Sequence, residues 1–408
     1  MAAGEDLFDA GRIVGIYTTE HKRSLWPRTG ISLALEALKG ALDDAGMSFE
    51  ELDGISSHIS DWPYGVNALG ADTFWARQLG RPMHWRGSGV DVGAIMGAIS
   101  AIDKGQASTV AIVSGLVRDP NPDKVAPWAR PSNEFTEWTG SYTTIQYSLP
   151  AQRYAHEYGE GAIEAMAEAS AVIRNYGNIN PTAIYYGRGP FTAQDVLDSR
   201  PIASPLTLLM CSSVNDGGCA VIITSKERAQ RAERTANRSV RLLTGGTQWP
   251  YPPYYDAPVL DAVPDAGRFA REALSRAGIV HDDLDVLELY DHFSIGVLME
   301  FEMYGFCGRG EAADFIKSGV MKINGKFPTC TDGGNESYCH NGNPALYRTI
   351  EAIRQLRGEV EDHCPEWAKG VHTHTEGVCR AARNPELAFV ANPGPPTGGG
   401  CFAVLARD

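Results

Sequence analysis

"ALDDAGMSFEELDGI", residues Ala41 to Ile55, returns 232 residues later as "ALSRAGIVHDDLDVL", Ala273 to Leu287. At that single offset Ala41 matches Ala273, Leu42 matches Leu274, Ala45 matches Ala277, Gly46 matches Gly278, Leu52 matches Leu284 and Asp53 matches Asp285. Each copy reads the same way: a helix stopped by glycine, an acidic turn, then a strand. A second echo joins "GAIMGAISAIDKG" (Gly93 to Gly105) to "PALYRTIEAIRQLRG" (Pro344 to Gly358), with Ile99/Ile350, Ala101/Ala352 and Ile102/Ile353 at one shared offset. Both segments carry apolar residues three and four apart and end at glycine, so each helix buries one face. Repetition on this scale fixes architecture before any chemistry. The expectation is two similar α/β halves, residues 1–240 and 241–408. The N-terminal half is expected to contain an inserted loop domain at about 117–198, where "LPAQRYAHEYGEGAIEAMAEASAVIRNYG" belongs to neither copy.

A chain of 408 residues is long enough to bury a sizeable core. Its longest apolar runs, "STVAIVSGLV" and "CAVIIT", have strand length rather than the length of a membrane-spanning helix. The first residues show no basic start followed by an apolar stretch, and eight cysteines spread along the chain fit reduced thiols, so a cytoplasmic location is expected. Lysine and arginine total 36 against 50 acidic residues, a net charge of −14 with no long basic run. Nucleic acid is therefore not an expected partner.

The stretch "SYCHNGNPAL", Ser337 to Leu346, puts His340 at the mouth of a helix. If a pseudo-twofold axis relates the halves, the mouths of the two matching helices face one another. Helix N-termini present unpaired N–H groups and partial positive charge, which can hold a developing oxyanion. The alternative reading of His340 is a simple turn cap.

Several segments together resemble the thiolase superfamily, most closely the branch of sterol-carrier-protein thiolases and steroid side-chain aldolases. They are "LPAQRYAHEYG", "SRPIASPLTLLMCSSVNDGGCAVIIT", "ELYDHFSIGVLMEFEMYGFCGRGEAADFI", "TDGGNESYCHNGNPALYRTIEAIRQLRG" and "TGGGCFAVLARD". The resemblance implies a duplicated five-layer α-β-α-β-α fold with an inserted loop domain, and a homodimer. Thiolases use two cysteines, a Gly-His-Pro histidine and an Asn-Glu-Ala-Phe asparagine. Carried over, the histidine is His340, with Cys339 and Asn341 in place of its neighbours. The asparagine motif becomes Tyr290, Asp291, His292 and Phe293, keeping only the phenylalanine. Val90 falls where the nucleophilic cysteine belongs, and Pro396 where the second cysteine belongs. A thiolase needs a thiolate to accept the acyl group, and valine cannot supply one.

Without that thiol, the scaffold resembles aldolases that shorten steroid side chains by retro-aldol cleavage of a β-hydroxyacyl-CoA. That reaction needs a base for the β-hydroxyl proton, donors for the thioester oxygen as it becomes an enolate, and an acid for the new carbanion. His340 is the candidate donor, because its thiolase counterpart has that role. Tyr290 and Tyr338 are the candidates for proton transfer, with His292 and Asp291 close enough in sequence to assist. An unperturbed phenol titrates near ~10, so a tyrosine base needs help. On a strand Tyr290 and His292 would share a face, with Asp291 opposite. The glycines Gly398, Gly399 and Gly400 precede no lysine, so they are expected to allow close backbone approach to the bound substrate rather than to cradle phosphate. His363, Cys364, His372, His374 and Cys379 match no zinc spacing, so no metal site is expected. Cys339 and Cys401 are expected to be structural, and Asp216 to cap a turn.

The sequence thus points to an acyl-CoA carbon–carbon lyase acting on a bulky substrate, a steroid or other cyclic side chain. Its alternatives are a divergent thiolase consuming free CoA, or an acyl-CoA or lipid-binding subunit without turnover. No tightly bound cofactor is expected, coenzyme A arriving as part of the substrate. The resemblance further implies a small zinc-ribbon and OB-fold partner protein, forming a heterotetramer.

Overall fold

The computed structural model describes residues 8–61, 66–67, 71–118, 143–231, 233–248, 259–262, 266–340, 345–360, 374–392, 394 and 399–408. In chain order its main elements begin with β1 (Gly11–Thr18), α1 (Gly30–Ala45), β2 (Gly54–Asp61), α2 (Val92–Asp103) and β3 (Thr109–Val117). Next come α3 (Thr143–Tyr158), α4 (Gly161–Ile179), β4 (Gly217–Ser225), β5 (Val240–Gln248), α5 (Ala266–Ala277) and β6 (Val286–Glu288). The last four are α6 (Ser294–Met303), α7 (Ala345–Arg357), β7 (Leu387–Ala391) and β8 (Gly400–Arg407).

The strands fall into two sets with one topology. In the first the order is β2-β3-β4-β1, with a parallel pair followed by two antiparallel pairs. In the second it is β6-β7-β8-β5, again parallel, antiparallel, antiparallel. The sets touch through one antiparallel pair, Ile13 opposite Val240.

The repeated sequence unit adopts one structure in both places. α1 ends at Gly46 with φ 67°, and α5 is followed by Gly278 with φ 71°, a left-handed conformation that glycine enters without strain. A single 3₁₀ turn follows each, Phe49–Glu51 and His281–Asp283, and then β2 or β6 begins. The matched aspartates do the same work. Asp53 accepts the backbone N–H groups of Ser108 and Thr109, and Asp285 those of Glu386 and Leu387. Each carboxylate therefore fixes the start of the strand that pairs in parallel with its own.

Alternation along the strands sorts side chains into layers. Val110 and Ile112 of β3, with Ala403 and Leu405 of β8, enter a central core shared with Ile95, Ile99 and Ile102 of α2 and Ile350 and Ile353 of α7. Ala111 and Val113 face the opposite way, onto Ala34, Leu38 and Ala41 of α1. Phe402 and Val404 face Ala270 and Leu274 of α5 and Leu298 of α6. The layers run α1, first sheet, α2 with α7, second sheet, α5 with α6: a duplicated five-layer α-β-α-β-α fold.

α3 and α4 lie in the segment between β3 and β4, within the insertion expected at 117–198, of which 119–142 lie outside the described residues. Their apolar faces join the core of α5 and α6, so a segment of the first half packs on the second. Arg174 of α4 donates to the carbonyls of Leu209, Cys211 and Glu336, reaching the turn that leads to His340. Among the described residues no helix is long and apolar enough to cross a membrane.

Candidate active site

β6 ends at Glu288, so residues 289–293 form a connection into α6 rather than a strand. Two hydrogen bonds pin that connection. The Tyr290 N–H donates to Oε2 of Glu300, in the second turn of α6, and Ser212 N–H donates to the carbonyl of His292. Tyr290 and His292 meet despite the lost strand geometry, the phenolic oxygen standing 2.7 Å from His292 Nδ1. With the phenol donating, the imidazole proton resides on Nε2.

Asp291 plays a different part. Its carboxylate accepts the N–H groups of Asn335 at 2.8 Å and Glu336 at 3.1 Å, across a π-helical turn, Gly334–Tyr338. Gly334 has φ 62°, and a Cβ there would lie 1.9 Å from an Asp291 oxygen. Only glycine fits. Asp291 is a turn anchor with both oxygens engaged, and burial pushes its carboxyl upward against the pull of Arg348 and the two N–H donors.

The turn delivers His340. Its N–H donates to Asn215 Oδ1 at 2.6 Å, and its carbonyl accepts from Arg118 Nη2 at 3.2 Å. Asn215 also donates to Cys339 Sγ, so one amide holds two consecutive residues of the loop. The imidazole centroids of His340 and His292 are 4.3 Å apart. His340 is 8 % exposed, and its Nδ1 has no hydrogen-bond partner among the described residues. Burial depresses both histidines, His292 to about 3 and His340 well below the ordinary imidazole range, and the Arg118 cation adds to both effects. Both rings are neutral near pH 7, each able to donate one N–H and accept at the other nitrogen. Tyr147 of α3 closes one side, its ring centroid 5.2 Å from that of His292.

Tyr338 does not join this group. It closes the π-helical turn. Its hydroxyl donates to Thr18 Oγ1 and accepts from Arg354 Nη1, both at 3.4 Å, and its ring lies 4.5 Å from that of His21 in the central layer. Of the final glycines, Gly398 lies outside the described residues, Gly400 opens β8 opposite Gln248, and Gly399 is buried just before it. Gly394 makes a close approach of its own, where a Cβ would fall 1.7 Å from Glu300 Oε1.

Val90 is 1 % exposed and packs into the central core immediately before Asp91, the N-cap of α2. Cys401 receives a hydrogen bond from Thr247 and lies at the Gly93 N–H, yet burial pushes its thiol to about 11; Cys339 is pushed to about 12. Both remain thiols near neutral pH. Asp216 caps no turn of its own; it accepts the N–H groups of Leu25 and Arg118, tying two distant segments together. No group of metal-ligating side chains forms among the described residues, which include His374 and Cys379. Asn341, His363, Cys364, His372 and Pro396 lie outside them.

Three residues of the site escaped the sequence reading: Arg118, Asn215 and Glu300. Asn215 had a partial signal, standing beside Asp216 in "VNDGGCA".

Residues 256–383 match the family described as thiolase C-terminal domain-like. The chain is 32% identical over 365 residues to the 17-hydroxy-3-oxo-4-pregnene-20-carboxyl-CoA lyase of Mycobacterium tuberculosis, covering 85% of this chain and 91% of that protein. It is 30% identical over 380 residues to a steroid side-chain-cleaving aldolase of Thermomonospora curvata, covering 86% and 90%. The solved structure of an Ltp2-ChsH2(DUF35) aldolase superposes with a TM-score of 0.78 at 26% identity, covering 99% of each chain.

Proposed function

The chain belongs to the steroid side-chain-cleaving aldolases of the thiolase superfamily, and we propose that it cleaves a bulky β-hydroxyacyl-CoA of steroid type by a retro-aldol step. The Cα–Cβ bond breaks, the β-carbon becomes the carbonyl of a ketone or aldehyde, and the bonding pair passes to Cα and the thioester oxygen. Protonation at Cα then releases a shorter acyl-CoA.

The observation that carries this reading is the 2.7 Å Tyr290–His292 hydrogen bond beside His340, with Val90, which the resemblance sets at the nucleophile position, buried in the central core. Tyr290, coupled to His292, takes the β-hydroxyl proton and returns one to Cα. His340, neutral and fixed through Asn215, donates its ring N–H to the thioester oxygen as charge develops there. No acyl-enzyme is needed. Asp291 acts indirectly, by holding the turn that carries His340.

The same reading divides the chain into halves 1–240 and 241–408 and puts it in the cytoplasm. It has no tightly bound cofactor, coenzyme A arriving with the substrate. It works as a homodimer with a small zinc-ribbon and OB-fold partner, in a heterotetramer; the similarity to the Ltp2-ChsH2(DUF35) aldolase supports a complex with a second protein. The test is product analysis on a panel of β-hydroxyacyl-CoAs, with and without such a partner. A ketone or aldehyde appearing in equal amount to a shortened acyl-CoA supports the proposal, and intact substrate throughout the panel contradicts it.

A further inference from the structure

Arg118 leaves the end of β3 and turns its guanidinium toward the two histidines. Nη2 donates to the His340 carbonyl at 3.2 Å, while Nε is buried without a hydrogen-bond partner among the described residues. Among the described residues no carboxylate forms an ion pair with it. The nearest acidic group to influence it, Asp216, spends its two oxygens on the backbone N–H groups of Leu25 and of Arg118 itself. A half-buried cation with no carboxylate hydrogen-bonded to its guanidinium among the described residues is costly to keep, and burial lowers its pKa, yet a guanidinium remains protonated. Such a charge is retained where an anion arrives.

We infer that Arg118 supplies the fixed positive charge that stabilises the enolate formed during carbon–carbon cleavage. The inference rests on the proposed retro-aldol reaction, in which a neutral thioester becomes anionic beside His340. A neutral imidazole gives one N–H to that oxygen but cannot balance its charge. A preorganised cation does, at no cost of reorganisation during the step. Burial holds both rings in the neutral, donating form, and the same charge adds to that effect. Among the described residues the other cation that acts on His340 is Arg348 of α7, and its guanidinium is already paired with Glu288 and Asp332, whereas Asp291, beside His292, spends its oxygens on the N–H groups of Asn335 and Glu336.

The test compares Arg118→Gln with Arg118→Lys in the full protein, with its partner if turnover requires one. Arg118→Gln keeps a donor for the His340 carbonyl but removes the charge, and Arg118→Lys keeps the charge. The glutamine variant is expected to lose about 10²–10³ in kcat with KM nearly unchanged, and the lysine variant to stay within about tenfold of wild type. The acid limb of kcat/KM is expected to move to higher pH in the glutamine variant alone, because removing a cation makes imidazole easier to protonate. Equal losses in both variants with an unmoved acid limb would reduce Arg118 to a hydrogen-bond donor, and a glutamine variant within about threefold of wild type would remove any role. If the glutamine variant does not fold, the lysine variant decides alone: retained turnover supports the inference, and its loss overturns it. A wild-type enzyme that cleaves no β-hydroxyacyl-CoA would overturn the underlying reaction and this inference together.

Discussion

The phenolic oxygen of Tyr290 stands 2.7 Å from Nδ1 of His292, joining two residues of one connection into a proton-transfer pair. Replacing Tyr290 by phenylalanine keeps a ring that is only 7 % exposed and removes the transferable proton. The expected loss in kcat is about 10²–10⁴, with the thermal transition nearly unchanged. Steady-state kinetics beside a melting curve checks it, and a variant turning over at wild-type rate would take proton transfer away from Tyr290.

Tyr338→Phe is expected to behave differently. Both contacts of the Tyr338 hydroxyl are long, at 3.4 Å, and lie on Thr18 and Arg354 in the central layer. The expected cost is about 1 kcal/mol of stability. Turnover is expected to stay within about threefold, far from the effect of removing an acid or base. Denaturant unfolding and kinetics on one preparation separate the two, and a hundredfold loss in kcat would bring Tyr338 into the chemistry.

The cysteines give a third outcome. Burial holds the Cys339 and Cys401 thiols up at about 12 and about 11, so neither supplies thiolate near neutral pH. Enzyme quenched during turnover is expected to show its unmodified mass. An acyl adduct mapped to either residue would favour thiolysis.

Asp53 and Asp285 provide a test of the duplicated frame. Each accepts two backbone N–H groups at the start of a neighbouring strand. Asp53→Ala and Asp285→Ala are each expected to lose about 1.5–3 kcal/mol, the range of a hydrogen bond to a charged group. Equilibrium unfolding measures both, and a neutral effect at one site would mean that the equivalence is only geometric.

The duplication was legible because its markers are local: a glycine where the chain turns left-handed after a helix, and an aspartate placed to bind the next strand. Sequence reasoning also brought Tyr290 and His292 together, but by strand alternation, whereas β6 stops at Glu288 and the Glu300 carboxylate shapes the connection instead. The π-helical turn sets the Tyr338 hydroxyl beside Thr18 and Arg354, a placement that no local pattern encodes. Asn215 and Arg118 reach His340 from 125 and 222 residues away, contacts that no local pattern encodes. The close approach of Gly394 to Glu300, 94 residues apart, is likewise not encoded locally.

The central claim is that carbon–carbon cleavage proceeds without an acceptor thiol, on the protein or in solution. The most direct measurement follows acyl-CoA species by chromatography while the enzyme acts on a β-hydroxyacyl-CoA, with free coenzyme A either absent or added in excess. The account predicts equal rates in the two conditions and a shortened acyl-CoA matched one to one by the ketone or aldehyde. Cleavage that appears only when free coenzyme A is supplied, and consumes it in proportion to product, would contradict it.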